Sequence, residues 1–150
     1  MPILPTSDFM SLALRQAEAA ARRGEVPVGA VLVRDGAVIA ADGNRVEELA
    51  DPTAHAEMQV IRAASAQAGG RLAGVDLYVT LEPCPMCAAA LSLARIRRVY
   101  FGAYDPKSGG VEHGPKVFDH ATCHHRPEVY GGLEERRAAE LLRAFFRDRR

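Results

Sequence analysis

The run Pro83-Cys84-Pro85-Met86-Cys87 sets two thiols three residues apart at the start of a helical stretch. Positions i and i+3 share a helix face, and the unsatisfied N–H groups and dipole of a helix start favour the thiolate form there. A C-x-x-C pair alone fits a redox couple, half of a four-cysteine zinc site, or two inert buried thiols. The redox reading needs a thioredoxin-like context. The four-cysteine reading needs a second pair, which Cys123, the remaining cysteine, cannot supply.

A second string, Asp51-Pro52-Thr53-Ala54-His55-Ala56-Glu57, opens the preceding helix. Two residues along a helix turn through about 200°, which would point His55 and Glu57 apart in mid-helix. At a helix start the backbone is not yet helical, and both can face one site. His55 with Cys84 and Cys87 makes three protein ligands and leaves a fourth position open, the arrangement of a catalytic zinc ion. Two thiolates, a neutral imidazole and Zn²⁺ sum to zero charge. A carboxylate beside the open position suits proton transfer.

Elements must bring these strings together. Met10, Ala13, Leu14, Ala17, Ala20 and Ala21 recur at helical spacing between Ser7, a predicted N-cap, and Gly24. Val26–Val33 and Ala37–Ala41 read as strands joined at Asp35-Gly36, a hairpin. Helices are expected at Ala54–Ala68 and Pro85–Arg95, and strands at Asp76–Leu81 and Arg98–Gly102. This alternation predicts an α/β sandwich with parallel neighbouring strands and both helices on one face. Ala103–Pro127 is an irregular segment with at most a helical turn near Val117–His120. A short strand near Val129 and a helix from Leu133 to about Arg147 complete the chain.

The 150 residues carry 19 basic and 19 acidic side chains, so the net charge is zero and bulk attraction to a polyanion is excluded. A chain of this length buries roughly 70% of its unfolded surface and needs no metal merely to fold. One domain over residues 1–150 is expected. An odd cysteine count, no apolar leader and no apolar stretch of membrane-spanning length point to a cytoplasmic protein away from membranes.

Beyond these two strings, Glu25-Val26-Pro27-Val28-Gly29-Ala30-Val31-Leu32-Val33, Gly43-Asn44-Arg45, Leu77-Tyr78-Val79-Thr80-Leu81-Glu82, Arg95-Ile96, Phe101-Gly102-Ala103 and Phe145-Phe146-Arg147 complete a pattern. Through it the chain resembles the cytidine and deoxycytidylate deaminase superfamily, with the H-x-E and P-C-x-x-C signature of zinc nucleobase deaminases. Within that superfamily it is most similar to the bacterial tRNA-specific adenosine deaminases. The resemblance implies a three-layer α-β-α sandwich around a mixed five-stranded sheet. It implies one Zn²⁺ per subunit on His55, Cys84 and Cys87, with Glu57 as the proton shuttle. It further implies that Asn44 holds the base, that backbone from Pro27 through Val28 to Gly29 walls the pocket together with Ala54, and that Asp105 meets the preceding nucleotide. The expected reaction is hydrolytic deamination of the wobble adenosine in a tRNA anticodon stem-loop, by a homodimer whose sites border the neighbouring subunit. A free-base or nucleoside deaminase acting on guanine, cytosine or cytidine is the alternative within the same chemistry. A zinc-stabilised RNA-binding module without catalysis is the alternative outside it, and Glu57 argues against that.

Plainer roles stand beside some of these. Asn44 and Asp105-Pro106 also suit ordinary turns. His113, His120, His124 and His125 match no ligand spacing, Cys123 reads as a partly buried thiol and Met86 as packing. From Arg136 onward the chain holds six Arg against Glu140 and Asp148, a local net charge of +4. Phe145, Phe146, Arg147, Arg149 and Arg150 are accordingly expected to contact RNA, by stacking and by charge.

Overall fold

The computed structural model describes residues 6–149, with side chains from residue 8 onward; Arg150, one of the expected RNA contacts, lies outside the described residues. Helix α1 (Thr6–Arg22) buries Met10, Ala13, Leu14, Ala17 and Ala20 of the predicted stripe and adds Phe9, while Ala21 is only half-buried. It already includes Thr6, so Ser7 is inside the helix rather than its cap. After it come β1 (Gly29–Arg34) and β2 (Ala37–Gly43), whose turn at Asp35 (φ 51°) and Gly36 (φ 77°) takes the two positive dihedrals that suit a tight hairpin. Val26–Val28 precede β1 as irregular chain, so the predicted strand starts three residues late.

A four-residue helix, α2 (Val46–Leu49), follows and has no counterpart in the sequence reading. Then come α3 (Ala56–Ala68), β3 (Val75–Leu81), α4 (Pro85–Leu93), β4 (Arg98–Ala103), β5 (Glu128–Tyr130) and α5 (Glu135–Arg147). The sheet order is β2-β1-β3-β4-β5. Strands β3, β4 and β5 are parallel, as the alternation predicts, but β1 is antiparallel to both β2 and β3. The reason is the hairpin. Strand β2 crosses through α3 to a parallel β3, and β1, reversed relative to both, fills the gap between them.

Alternate side chains of the sheet feed two cores. Ala30, Leu32, Leu77, Val79, Val99 and Phe101 pack on α3 and α4, while Val31, Val33 and Tyr78 pack on α1 and on Ala138 of α5. This is the expected three-layer α-β-α sandwich with a mixed five-stranded sheet. Strands β1 and β3 are buried almost throughout because helices cover both faces. No helix among the described residues is long and apolar enough to cross a membrane.

Candidate metal centre and cavity

Two helix N-termini meet at the site. His55 is the N-cap of α3 with an extended backbone (φ −70°, ψ 156°), so its ring leaves the helix axis while Glu57 sits on the first turn. An Asx turn aims the approach: Asp51 Oδ1 accepts from the amide and hydroxyl of Thr53, and the His55 amide donates to the Thr53 carbonyl. Cys84 is likewise the N-cap of α4, ahead of Pro85, whose missing N–H costs nothing at a helix start. Cys87 on the following turn is fully buried.

His55 Nδ1 lies 3.6 Å from Cys84 Sγ and 3.6 Å from Cys87 Sγ, and the three donor atoms all fall within 4.8 Å of one another. Zinc with Zn–S near 2.3 Å and Zn–N near 2.0 Å in tetrahedral geometry sets an N···S separation of about 3.6 Å. The donor set therefore fits zinc. Proton distribution fits as well. A hydrogen bond from Cys87 draws the Cys84 thiol down to about 4, against the cost of its burial. Cys87 is pushed up by that same bond and by burial. His55 is raised, chiefly by its hydrogen bond with Cys84.

Glu57 is buried, and desolvation together with the nearby Cys84 charge lifts its carboxyl to about 7. Its side chain lines a cavity of about 650 Å³ together with His55, Cys84, Asn44, Val28 and Asp105. A cavity of that volume takes a nucleoside-sized ligand. Asn44 is held by its backbone: its amide donates to the Val28 carbonyl, and its own carbonyl accepts from Arg23. That leaves its side-chain amide, without a hydrogen bond among the described residues, available to the cavity.

The structure narrows the expected pocket wall. Val28 lines it, but Pro27, Gly29 and Ala54 do not. Gly29 lies where β1 crosses α1, and a Cβ there would clash with the Ala13 carbonyl oxygen; its amide donates to Thr80 Oγ1. Its smallness serves packing. Ala54 is buried, and its carbonyl accepts from the Arg45 amide, so it steadies the approach to His55 instead of facing a ligand. Asp105 does line the cavity, yet its Oδ1 also accepts from the amides of Lys107 and Ser108 in a turn of its own.

Of the C-terminal residues, Phe145 and Arg149 reach the cavity, with the guanidinium 4.0 Å above the ring centroid, a cation–π pair. Phe146 and Arg147 do not. They line a separate shallow groove with Leu142 and Arg143, and Phe146 is 51% exposed. Residues on successive helix positions point in different directions, which splits the predicted patch between two surfaces. The other histidines form no second cluster among the described residues: His120 pairs with the Pro115 carbonyl and His125 with the Ile96 carbonyl at 2.6 Å.

Two buried carboxylates have roles that sequence reasoning missed. Glu25 accepts from the amides of Glu47 (3.0 Å) and Glu48 (2.7 Å), capping α2 so that Val46 and Glu47 border the cavity. Glu82, fully buried, gathers the segment that carries Asp105. Burial opposes its ionisation, but the amides of Asp105, Glu112 and Val111 and the His113 ring hold its carboxyl below the usual range. No local spacing signals either role, because each partner lies more than twenty residues away along the chain.

Residues 5–103 match the profile of the cytidine and deoxycytidylate deaminase zinc-binding region. The tRNA-specific adenosine deaminase of Agrobacterium fabrum is 62% identical over 143 residues, covering 95% of this chain and 94% of its own. A solved structure from work on A-to-I editing by tRNA:A34 deaminases at the wobble position of transfer RNA superposes with a TM-score of 0.89 at 61% identity, over 91% of this chain and 99% of that one. The guanine deaminase of Bacillus subtilis superposes with a TM-score of 0.65 at 40% identity, over 67% of this chain and 66% of that one.

Proposed function

Because this chain belongs to the cytidine and deoxycytidylate deaminase family, we propose that it hydrolyses adenosine to inosine at the wobble position of a tRNA anticodon loop, as one catalytic domain over residues 1–150. The observation that carries this reading is the convergence of three metal donors on a cavity that also buries a carboxylate. His55, Cys84 and Cys87 hold one zinc per subunit, which when bound acts as a Lewis acid that makes water nucleophilic near neutral pH.

Glu57 moves the protons. Its carboxylate takes one from the attacking water, delivers it to adenine N1 as oxygen adds at C6, and then helps protonate the departing amino group. Adenosine and water become inosine and ammonia. The side-chain amide of Asn44 holds the base, and Phe145 with Arg149 offers a stacking and charged rim for neighbouring nucleotides. A buried carboxylate contributes nothing to a purely structural zinc site, which speaks against an RNA-binding module without catalysis.

An exposed loop suits this cavity. Its bases can be splayed out for a few kcal/mol, whereas a base inside a duplex must first be unpaired and unstacked. Incubating zinc-loaded protein with an anticodon stem-loop bearing a wobble adenosine, and separately with free adenosine, cytidine, cytosine and guanine, tests the proposal. Inosine formed in the stem-loop is the expected result; turnover confined to the free compounds would overturn it.

The resemblance also leads us to propose a homodimer. Buried Ala88 and Leu91 of α4 face the sheet, while on its outer side Ala89 is exposed and Leu93 is 79% exposed. Small and apolar residues on an outer helix face suit close packing against a second copy. Sedimentation at micromolar concentration is expected to give twice the 16.2 kDa chain mass, and a monomer would refute the dimer. Three cysteines without a disulfide support placing the protein in the reducing cytoplasm.

A further inference from the structure

We propose that Glu82 is a positioning residue that holds the Asp105–His113 segment as a pre-folded wall of the substrate cavity; this rests on the deaminase reading above. The Glu82 carboxylate has no exposed surface, and both of its oxygens are bonded. Oε1 accepts from the Asp105 amide (3.0 Å) and pairs with His113 Nδ1 (2.8 Å). Oε2 accepts from three successive amides, those of Val111 (3.2 Å), Glu112 (2.9 Å) and His113 (3.0 Å). One side chain thus ties together both ends of the segment.

The segment is shaped to come this close. A Cβ on Gly109 would stand 2.5 Å from Glu82 Oε2, and one on Gly110 would stand 2.5 Å from the Pro85 nitrogen. The Gly110 amide donates to the Pro83 carbonyl at 2.8 Å. Between these anchors Asp105 and Ser108 line the cavity, and the Asp105 turn fixes both. Glu82 itself is not among the residues that move protons or ligate metal. Its consequence is order: a wall already folded spares the substrate the cost of ordering it.

Hydrogen bonds to an ionised carboxylate are stronger than those between neutral groups. Losing part of the set should therefore weaken substrate binding by roughly tenfold or more while the chemistry of bound substrate persists. The test is Glu82→Gln, which keeps one acceptor and turns a donor toward the amides, with His113→Ala as a milder variant removing one partner. Both are assayed as zinc-loaded protein on the wobble-adenosine stem-loop, alongside limited trypsin digestion after the exposed Lys107.

For Glu82→Gln the expected result is a KM raised roughly tenfold or more, kcat within about threefold of wild type, unchanged zinc content, and faster cleavage at Lys107. For His113→Ala it is a smaller shift of KM and cleavage in the same direction. A KM that stays at the wild-type value in folded, zinc-loaded variants overturns the proposal, whether kcat falls or not. Should Glu82→Gln fail to fold, His113→Ala decides by the same criteria. Failure of wild-type protein to act on the stem-loop would sink the deaminase reading instead, and the digestion still reports whether Glu82 holds the segment.

Discussion

Glu57→Gln is expected to leave one zinc per chain in place and to slow turnover of the wobble adenosine by roughly 10²–10⁴-fold. That range corresponds to about 3–5 kcal/mol of transition-state stabilisation. The loss should fall toward the upper end, since the same carboxylate serves two proton transfers, one to the ring nitrogen and one to the leaving amine. An amide of the same size fills the same buried space beside Cys84 and Cys87, so binding of metal and substrate should change little. Burial already tells that Glu57 is not there for solubility: a carboxyl at 4% exposure, raised to about 7 by desolvation, is costly to retain without a task. Metal analysis and single-turnover rates on the stem-loop check the prediction. A Glu57→Gln protein with near-normal rates would remove Glu57 from the proton path.

The parts of this site legible in the sequence are those written into local backbone. His55 and Cys84 are both helix N-caps, and Glu57 and Cys87 fall on the first turns behind them, so their place at helix starts indicated that they can face one site, although α3 begins two residues after the expected Ala54. The hairpin was legible for the same reason, since Asp35-Gly36 supplies its two positive dihedrals locally. The antiparallel β1–β3 pairing was not, because strand order depends on which connection crosses over which strand. Long-range contacts account for the remaining differences. Gly29 belongs to a family string, yet it serves the approach of α1 to β1. Glu25 and Glu82 look like ordinary acidic residues until the chain folds their distant amide partners onto them. Phe145 and Phe146 are adjacent in sequence, but only Phe145 reaches the cavity.

The second large effect is expected from the metal donors, and it should separate binding from folding. His55→Ala and Cys87→Ala should each lose zinc to a competing chelator that leaves wild-type protein loaded, and turnover should fall below detection. In neither variant should the fold be lost. The two cores rest on large buried side chains such as Met10, Leu14, Leu32, Leu77 and Phe101, none of which is a metal donor. A chain of 150 residues buries enough surface to fold without metal, unlike a small domain whose stability is its metal affinity. Circular dichroism should therefore show native helix content and a cooperative, somewhat lowered Tm in zinc-free protein. Unfolding on zinc removal would instead make the ion structural, at odds with only three protein donors beside an open cavity. Comparison with Glu57→Gln sharpens the division. One variant keeps metal and loses proton transfer, the others lose metal and with it any nucleophile for Glu57 to deprotonate, so combining Glu57→Gln with His55→Ala should cost no more than His55→Ala alone.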